Sequence, residues 1–166
     1  MYRILVVCTG NICRSPMGEG ILRHLLEEAG FAEQTEVRSA GTWAASGSAA
    51  SANGVTAAAK HEVWIEEHRS SPLSHDLISD AALILCMEPA HVSEIVRIVP
   101  EAHDKTHLLT QYGSRDEGSP FGVEDPIGGT QEAYDTTFAE LVGLMQVSME
   151  KIRLALAGDS GEPEAN

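Results

Sequence analysis

Cys8 and Arg14 flank the short segment Thr9, Gly10, Asn11, Ile12, Cys13, and Ser15 and Pro16 follow at once. A cysteine, an arginine and a turn-forming Gly-Asn pair are the ingredients of an oxyanion site. Gly10 permits a positive φ and Asn11 tolerates one, so the segment can turn with several backbone N–H groups pointing inward. A helix opening at Ser15 would set the positive end of its dipole behind that concavity. Arg14 adds a planar fork suited to two oxygens of a phosphate. A phosphate held there would turn its phosphorus toward the sulfur of Cys8. The same field favours the thiolate, which is the nucleophilic form. A lone cysteine at a strand end is more often packing than a nucleophile, and a C-x5-R spacing by itself is weak. Here the spacing comes with a preceding apolar strand, Gly-Asn inside the loop and Ser-Pro opening a helix, and that joint setting favours the nucleophile.

Displacing a poor leaving group also needs a proton donor. Asp125, in the stretch GVEDPIGGT, is the candidate. Pro126 biases it toward an extended backbone, and Gly128 and Gly129 keep the turn compact. Asp-Pro is also an ordinary way to begin a turn, so the residue types alone leave both roles open.

The elements that must position these groups can be read along the chain. Residues 3–8 form a short continuous apolar run, as a strand buried on both faces does. The helix after it is expected to have Ser15 as its cap, Pro16 in its first turn and Gly30 as its stop, with Met17, Ile21, Leu25 and Ala29 on one face and Leu22 and Leu26 beside it. Residues 35–41 read as a second strand, 44–54 as a Gly/Ser/Ala-rich loop, and 55–62 as a helix. Pro72 precedes a turn or short helix near Ser74 to Ile78. Residues 81–87 read as a third strand, 89–99 as a helix opened by Pro89 and stopped by Pro100, and 106–110 as a fourth strand. A polar, glycine-rich loop spans 111–129. In the last helix Tyr134, Phe138, Leu141, Met145, Met149, Ile152 and Leu156 recur at steps of three and four, one stripe against a core. Its methionines are core filling rather than ligands. Strands alternating with helices predict an α/β three-layer sandwich, with a central four-stranded parallel sheet, doubly wound, and helices on both faces. Ligands in such sheets sit beyond the carboxyl ends of the strands, where Cys8 stands. One domain is expected over residues 1–157, with 158–166 as a disordered tail.

Composition narrows the function. The 166 residues carry 11 Lys and Arg against 25 Asp and Glu, a formal charge of −14. That is the wrong sign for nucleic acid or for an anionic membrane. Three cysteines, Cys8, Cys13 and Cys86, form no disulfide framework and no zinc spacing. With no basic-then-apolar leader, a cytoplasmic, reducing setting is expected. No cofactor and no metal are expected, because the loop itself supplies the positive charge.

At VCTGNICRSP and EDPIGG the sequence resembles the low-molecular-weight protein phosphatases, the small cysteine-dependent enzymes usually called protein tyrosine phosphatases. The resemblance extends over nearly the whole chain, through SAGT at 39–42, HRSSPLS at 68–74 and ILCM at 84–87. It implies that Cys8 attacks phosphorus to form a thiophosphate intermediate. Arg14 and the amides of residues 9–15 would hold the equatorial oxygens, and Asp125 would protonate the leaving group and then assist the hydrolytic water. It further implies that Ser15 hydrogen-bonds the Cys8 sulfur and that Asn11, Ser39 and His68 brace the loop. Cys13 would be able to form a reversible disulfide with Cys8 under oxidation. The implied partner is a phosphorylated protein, and the oligomeric state is left open.

The substrate divides the readings. Members that act on phosphotyrosine typically carry aromatics after the Asp-Pro pair, where this chain has Ile127 and Gly128. Their usual wall tryptophan would fall near Ala45, whereas Trp43 stands two residues earlier, either lining the mouth or covering the core. DPIGGT, SSPL and the threonine of CTGN resemble the phosphoarginine branch. That branch, however, typically has threonine where this chain has Ile12. An apolar branched side chain suits the edge of an aryl ring and offers a guanidinium no hydrogen bond, so phosphotyrosine is the expected substrate. Two other classes stand beside it. Thiol-linked arsenate reductases share the fold and loop but need a relay thiol, for which Cys86 is the only spare cysteine. A phosphate-binding module without turnover would need neither Cys8 nor Asp125.

Overall fold

The computed structural model describes residues 1–114 and 118–159. Its strands are β1 (Tyr2–Cys8), β2 (Thr35–Gly41), β3 (Leu83–Cys86) and β4 (Thr106–Leu108). They form one sheet in the order β2-β1-β3-β4, with every pair parallel. The helices are α1 (Arg14–Glu28), α2 (Ala52–Ala59), α3 (His75–Asp80), α4 (Pro89–Ile98), α5 (Leu109–Tyr112) and α6 (Gln131–Asp159).

The apolar run of β1 is split by the pleat. Ile4, Val6 and Cys8 join one buried cluster with α1, α2 and α6, while Leu5 and Val7 join another with Ile78 of α3 and Ile95 of α4. Burial on both faces is why β1 reads as continuous rather than alternating. The sheet is thus covered on both sides, as expected for a doubly wound fold. All seven residues of the expected α6 stripe are buried, from Tyr134 to Leu156. The helix after β1 packs on one face and the helix after β3 on the other, so the β1/β3 boundary is the switch point where a crevice opens.

Several boundaries differ from the expectations. α1 opens two residues early, at Arg14, with Cys13 rather than Ser15 in the cap position and no side-chain cap. Ser15 lies inside the first turn, which frees its hydroxyl for other work. Gly30 ends α1 as expected, with φ of 80° and the Phe31 N–H closing on the Leu26 carbonyl at 2.8 Å. α2 begins at Ala52, inside the stretch expected as loop, and ends at Ala59, before the expected end at residue 62. β3 is shorter than residues 81–87, and Val99 follows α4 rather than extending it. Residues 106–110 do not all extend: β4 stops at Leu108 and Leu109 begins α5. β3 ends at Cys86, and the next carbonyl, of Met87, is taken by the Val123 N–H at 2.8 Å, so a longer β4 would have no ladder partner. α6 runs through Gly158 and Asp159, the first two residues assigned to the tail. The remainder of that expected tail lies outside the described residues.

Candidate active site

Cys8 ends β1, and its sulfur is buried and doubly hydrogen-bonded. The Asn11 N–H reaches Sγ at 3.3 Å and the Ser15 hydroxyl lies 2.9 Å from it. The direction of the second bond follows from its neighbour. Asn11 Nδ2, which can only donate, gives a hydrogen to Ser15 Oγ at 2.7 Å. Ser15 is therefore an acceptor there and spends its own proton on the sulfur. Two donors thus converge on one sulfur.

The left-handed residue of the loop is Asn11, with φ of 55°, and Gly10 has no positive φ. The sequence allowed a positive φ at either residue, and the fold uses it at Asn11. Asn11 holds the conformation because its side chain is fully engaged. Nδ2 also donates to Ser39 Oγ at 2.9 Å, Oδ1 accepts from the Ser71 N–H at 2.8 Å, and its carbonyl accepts from His68 Nε2 at 2.7 Å. Ser39 passes its proton to Glu19 Oε2 at 2.5 Å, and the same carboxylate lies 4.0 Å from His68 Nδ1. Ser39 and His68 thus both bond to Asn11, behind the loop. Glu19 and Ser71 complete the brace and were not anticipated. Glu19 lies one helical turn beyond Ser15, and that spacing was the available signal. Asn11→Ala strips three buried hydrogen-bond partners, so it should cost about 3 kcal/mol of stability. Urea denaturation of the two proteins measures this, and a loss under 1 kcal/mol would mean that the brace is not structural.

Arg14 is 1% exposed and gathers three partners from two segments. Nη1 donates to Glu88 Oε2 and to the Val123 carbonyl, both at 2.8 Å, and Nη2 to Asp125 Oδ2 at 3.2 Å. Its Nε is buried with no partner among the described residues. A buried, unspent guanidinium N–H is what an arriving oxyanion would satisfy. Asp125 is brought to Arg14 by the loop before it. Gly122 has φ of 84°, and a Cβ there would stand 2.0 Å from the Met87 oxygen, so only glycine lets Val123 pair with Met87 and offer its carbonyl to Arg14. The second Asp125 oxygen accepts from the Ile127 N–H at 3.1 Å, closing the turn.

The remaining loop residues are also placed. Thr9 Oγ1 lies 2.8 Å from His91 Nε2. The Ile12 carbonyl accepts from Ser51, and the Ile12 side chain is part-exposed. Cys13 Sγ faces the Tyr134 hydroxyl at 3.3 Å, and burial pushes its thiol pKa up. Cys13 therefore lends the loop its backbone rather than its side chain. Cys86 belongs to the cluster on the opposite face of the sheet from Cys8, and burial drives its pKa well above the usual thiol range. It does not face Cys8 as a relay thiol would. Trp43 is 87% exposed, so it does not cover the core. Its N–H binds the Thr9 carbonyl at 3.0 Å, which sets it beside the loop. Phe121, 83% exposed, lies two residues before Val123, whose carbonyl binds Arg14. Glu88 and His91 were not anticipated. The signal was positional: they follow β3, the strand next to β1, on the side of the crevice.

A parallel α/β sheet with an anion-ready loop between its central strand and first helix defines a class, the small α/β phosphatases. The chain belongs to the family described as low molecular weight phosphotyrosine protein phosphatase, which matches residues 3–155. It is 40% identical to a protein-arginine-phosphatase of Geobacillus stearothermophilus, over 92% of this chain and 97% of that one. It is 36% identical to the low molecular weight protein-tyrosine-phosphatase Etp of Escherichia coli (strain K12), over 83% of this chain and 86% of the relative. Among solved structures it superimposes on the YwlE arginine phosphatase from Geobacillus stearothermophilus with a TM-score of 0.84 at 37% identity, covering 98% of this chain and 100% of that one. The chain is a phosphatase, a hydrolase of phosphorylated proteins. No helix among the described residues is long and apolar enough to cross a membrane.

Proposed function

We propose that this chain dephosphorylates phosphotyrosine in proteins, without metal or cofactor, through a cysteinyl-phosphate intermediate. The observation that carries the mechanism is the convergence on one loop of a doubly donated sulfur, an unspent Arg14 N–H and the Asp125 carboxyl. The phosphoryl group docks with its oxygens on the loop amides and Arg14. The Cys8 sulfur forms a bond to phosphorus as the phosphorus–oxygen bond to the leaving group breaks, and the proton of Asp125 goes to that oxygen. Water then attacks phosphorus and gives a proton to the Asp125 carboxylate. The sulfur–phosphorus bond breaks, and thiolate and inorganic phosphate are restored.

Ile12 carries the choice of substrate. It is apolar, part-exposed and within the loop that holds phosphorus, so it meets the group attached to the phosphate. Trp43 supplies exposed aromatic surface beside that loop. Apolar and aromatic walls suit a phenyl ring better than a charged guanidinium, whose N–H groups would go unpaired against Ile12. Phosphoarginine is the second reading, favoured by the relative at 40% identity that carries that name. The two are separated by phosphotyrosine and phosphoarginine peptides of one sequence. The wild type should prefer phosphotyrosine in kcat/KM, and Ile12→Thr should shrink that preference about tenfold. A wild type that prefers phosphoarginine, or a preference untouched by the substitution, overturns the pocket argument.

A further inference from the structure

The first turn of α4 holds both ends of the phosphate loop. Glu88 caps α4, and its side chain binds Arg14, the last residue of the loop. His91, one turn on and 2% exposed, binds Thr9, the first residue after Cys8. The proton positions can be derived from the partners. The Glu88 N–H points at His91 Nδ1 at 3.0 Å, so Nδ1 accepts and carries no hydrogen. In the neutral ring the hydrogen then sits on Nε2, which lies 2.8 Å from Thr9 Oγ1 and donates to it. The ring is held neutral by its surroundings. Burial, and then the charge of Arg14 on α1, pull its pKa down to about 4, against Glu88 of its own cap and Asp125 of the Asp-Pro loop.

Thr9 Oγ1 is therefore an acceptor toward His91, and its own hydrogen is left to give. Among the described residues no acceptor is placed for it, and the Thr9 carbonyl is already taken by the Trp43 N–H. This half-buried hydroxyl stands one residue from the nucleophile, on the loop that receives the phosphate. We infer that His91 is a positioning residue: it fixes Thr9 so that the threonine hydroxyl donates to a phosphoryl oxygen, adding a side-chain donor to the loop amides and Arg14. The inference rests on the phosphatase reading of the loop. It gives α4 one task at each end of the cradle, because Glu88 orients the guanidinium by its side chain and His91 by its backbone.

A double-mutant cycle tests this. Thr9→Val removes the hydroxyl at nearly constant volume. His91→Asn keeps an acceptor for the Glu88 N–H, but its side chain is too short to reach Thr9. Both should lower kcat/KM for p-nitrophenyl phosphate about tenfold and weaken inorganic phosphate binding in calorimetry by a similar factor. The double variant should be no worse than either single one, and Thr9→Ser should stay within about threefold of the wild type. His91→Gln, whose amide reaches farther, should regain part of the loss. Losses that multiply to about a hundredfold, or an unaffected Thr9→Val, overturn the inference. Because thermal melts report packing, a His91→Asn loss that tracks melting temperature and leaves phosphate affinity unchanged also overturns it. Should His91→Asn fail to fold, the His91→Gln and Thr9→Val pair closes the same cycle. A wild type that binds phosphate yet does not hydrolyse the ester strikes the catalytic reading instead, and the binding cycle still decides the role of His91.

Discussion

Cys8→Ser should eliminate aryl phosphate hydrolysis, with kcat falling by at least about three orders of magnitude, while inorganic phosphate still binds. The two effects separate because the residues that do the two jobs are different. Binding is expected from Arg14, with its unpartnered Nε, and from the loop amides; of these the substitution meets only the Asn11 N–H, which a serine oxygen can still accept. Attack depends on an anionic sulfur that accepts from Asn11 and from Ser15. A serine hydroxyl at this position stays protonated at neutral pH, and no described side chain is placed to remove its proton: Ser15 and Asn11 both donate. Single-turnover kinetics with p-nitrophenyl phosphate, alongside phosphate calorimetry, make the comparison. A variant with more than about one per cent of wild-type kcat would move the nucleophile elsewhere.

Asp125→Ala should slow turnover by about a hundredfold to ten-thousandfold when the leaving group is a poor one, such as phenol, and far less for p-nitrophenol. The contrast arises because a good leaving group departs as the anion and has little use for a proton. The structure adds a second expectation. Asp125 pairs with Arg14 Nη2 at 3.2 Å, so its carboxylate would compete with phosphate for the guanidinium. Its removal should leave phosphate affinity unchanged or raise it, and kcat should carry the whole loss. Equal losses on both esters would remove Asp125 from the acid role. A loss that falls on KM would make it a binding residue instead.

Much of the chemistry was legible because it is local. Cys8, Arg14 and Ser15 lie within one strand–loop–helix unit, and a short run of residues fixes how such a unit turns. The α6 stripe was legible for a similar reason, since helical period alone sets which side chains face the core. Asp125 stood out by its Asp-Pro-x-Gly-Gly setting rather than by any visible tie to the loop. The choice between Gly10 and Asn11 for the positive φ shows where local reasoning stops. Glycine costs least in that conformation, yet Asn11 adopts it, because Ser39, His68 and Ser71 supply partners that no neighbouring residue could. The end of β4 failed likewise, through the capture of the Met87 carbonyl by Val123.

By itself, then, the sequence determined the α/β order and the strand–loop–helix unit that carries Cys8 and Arg14, since propensity, periodicity and turn chemistry act over a few residues. The tertiary structure decided which distant groups complete the site. Arg14 meets Glu88 across 74 positions and Asp125 across 111, and Thr9 meets His91 across 82. These contacts exist because β1 and β3 are neighbours in the sheet and their carboxyl ends open on one crevice. A one-dimensional pattern cannot express that adjacency, because hydrogen bonds and charge depend on separation in space.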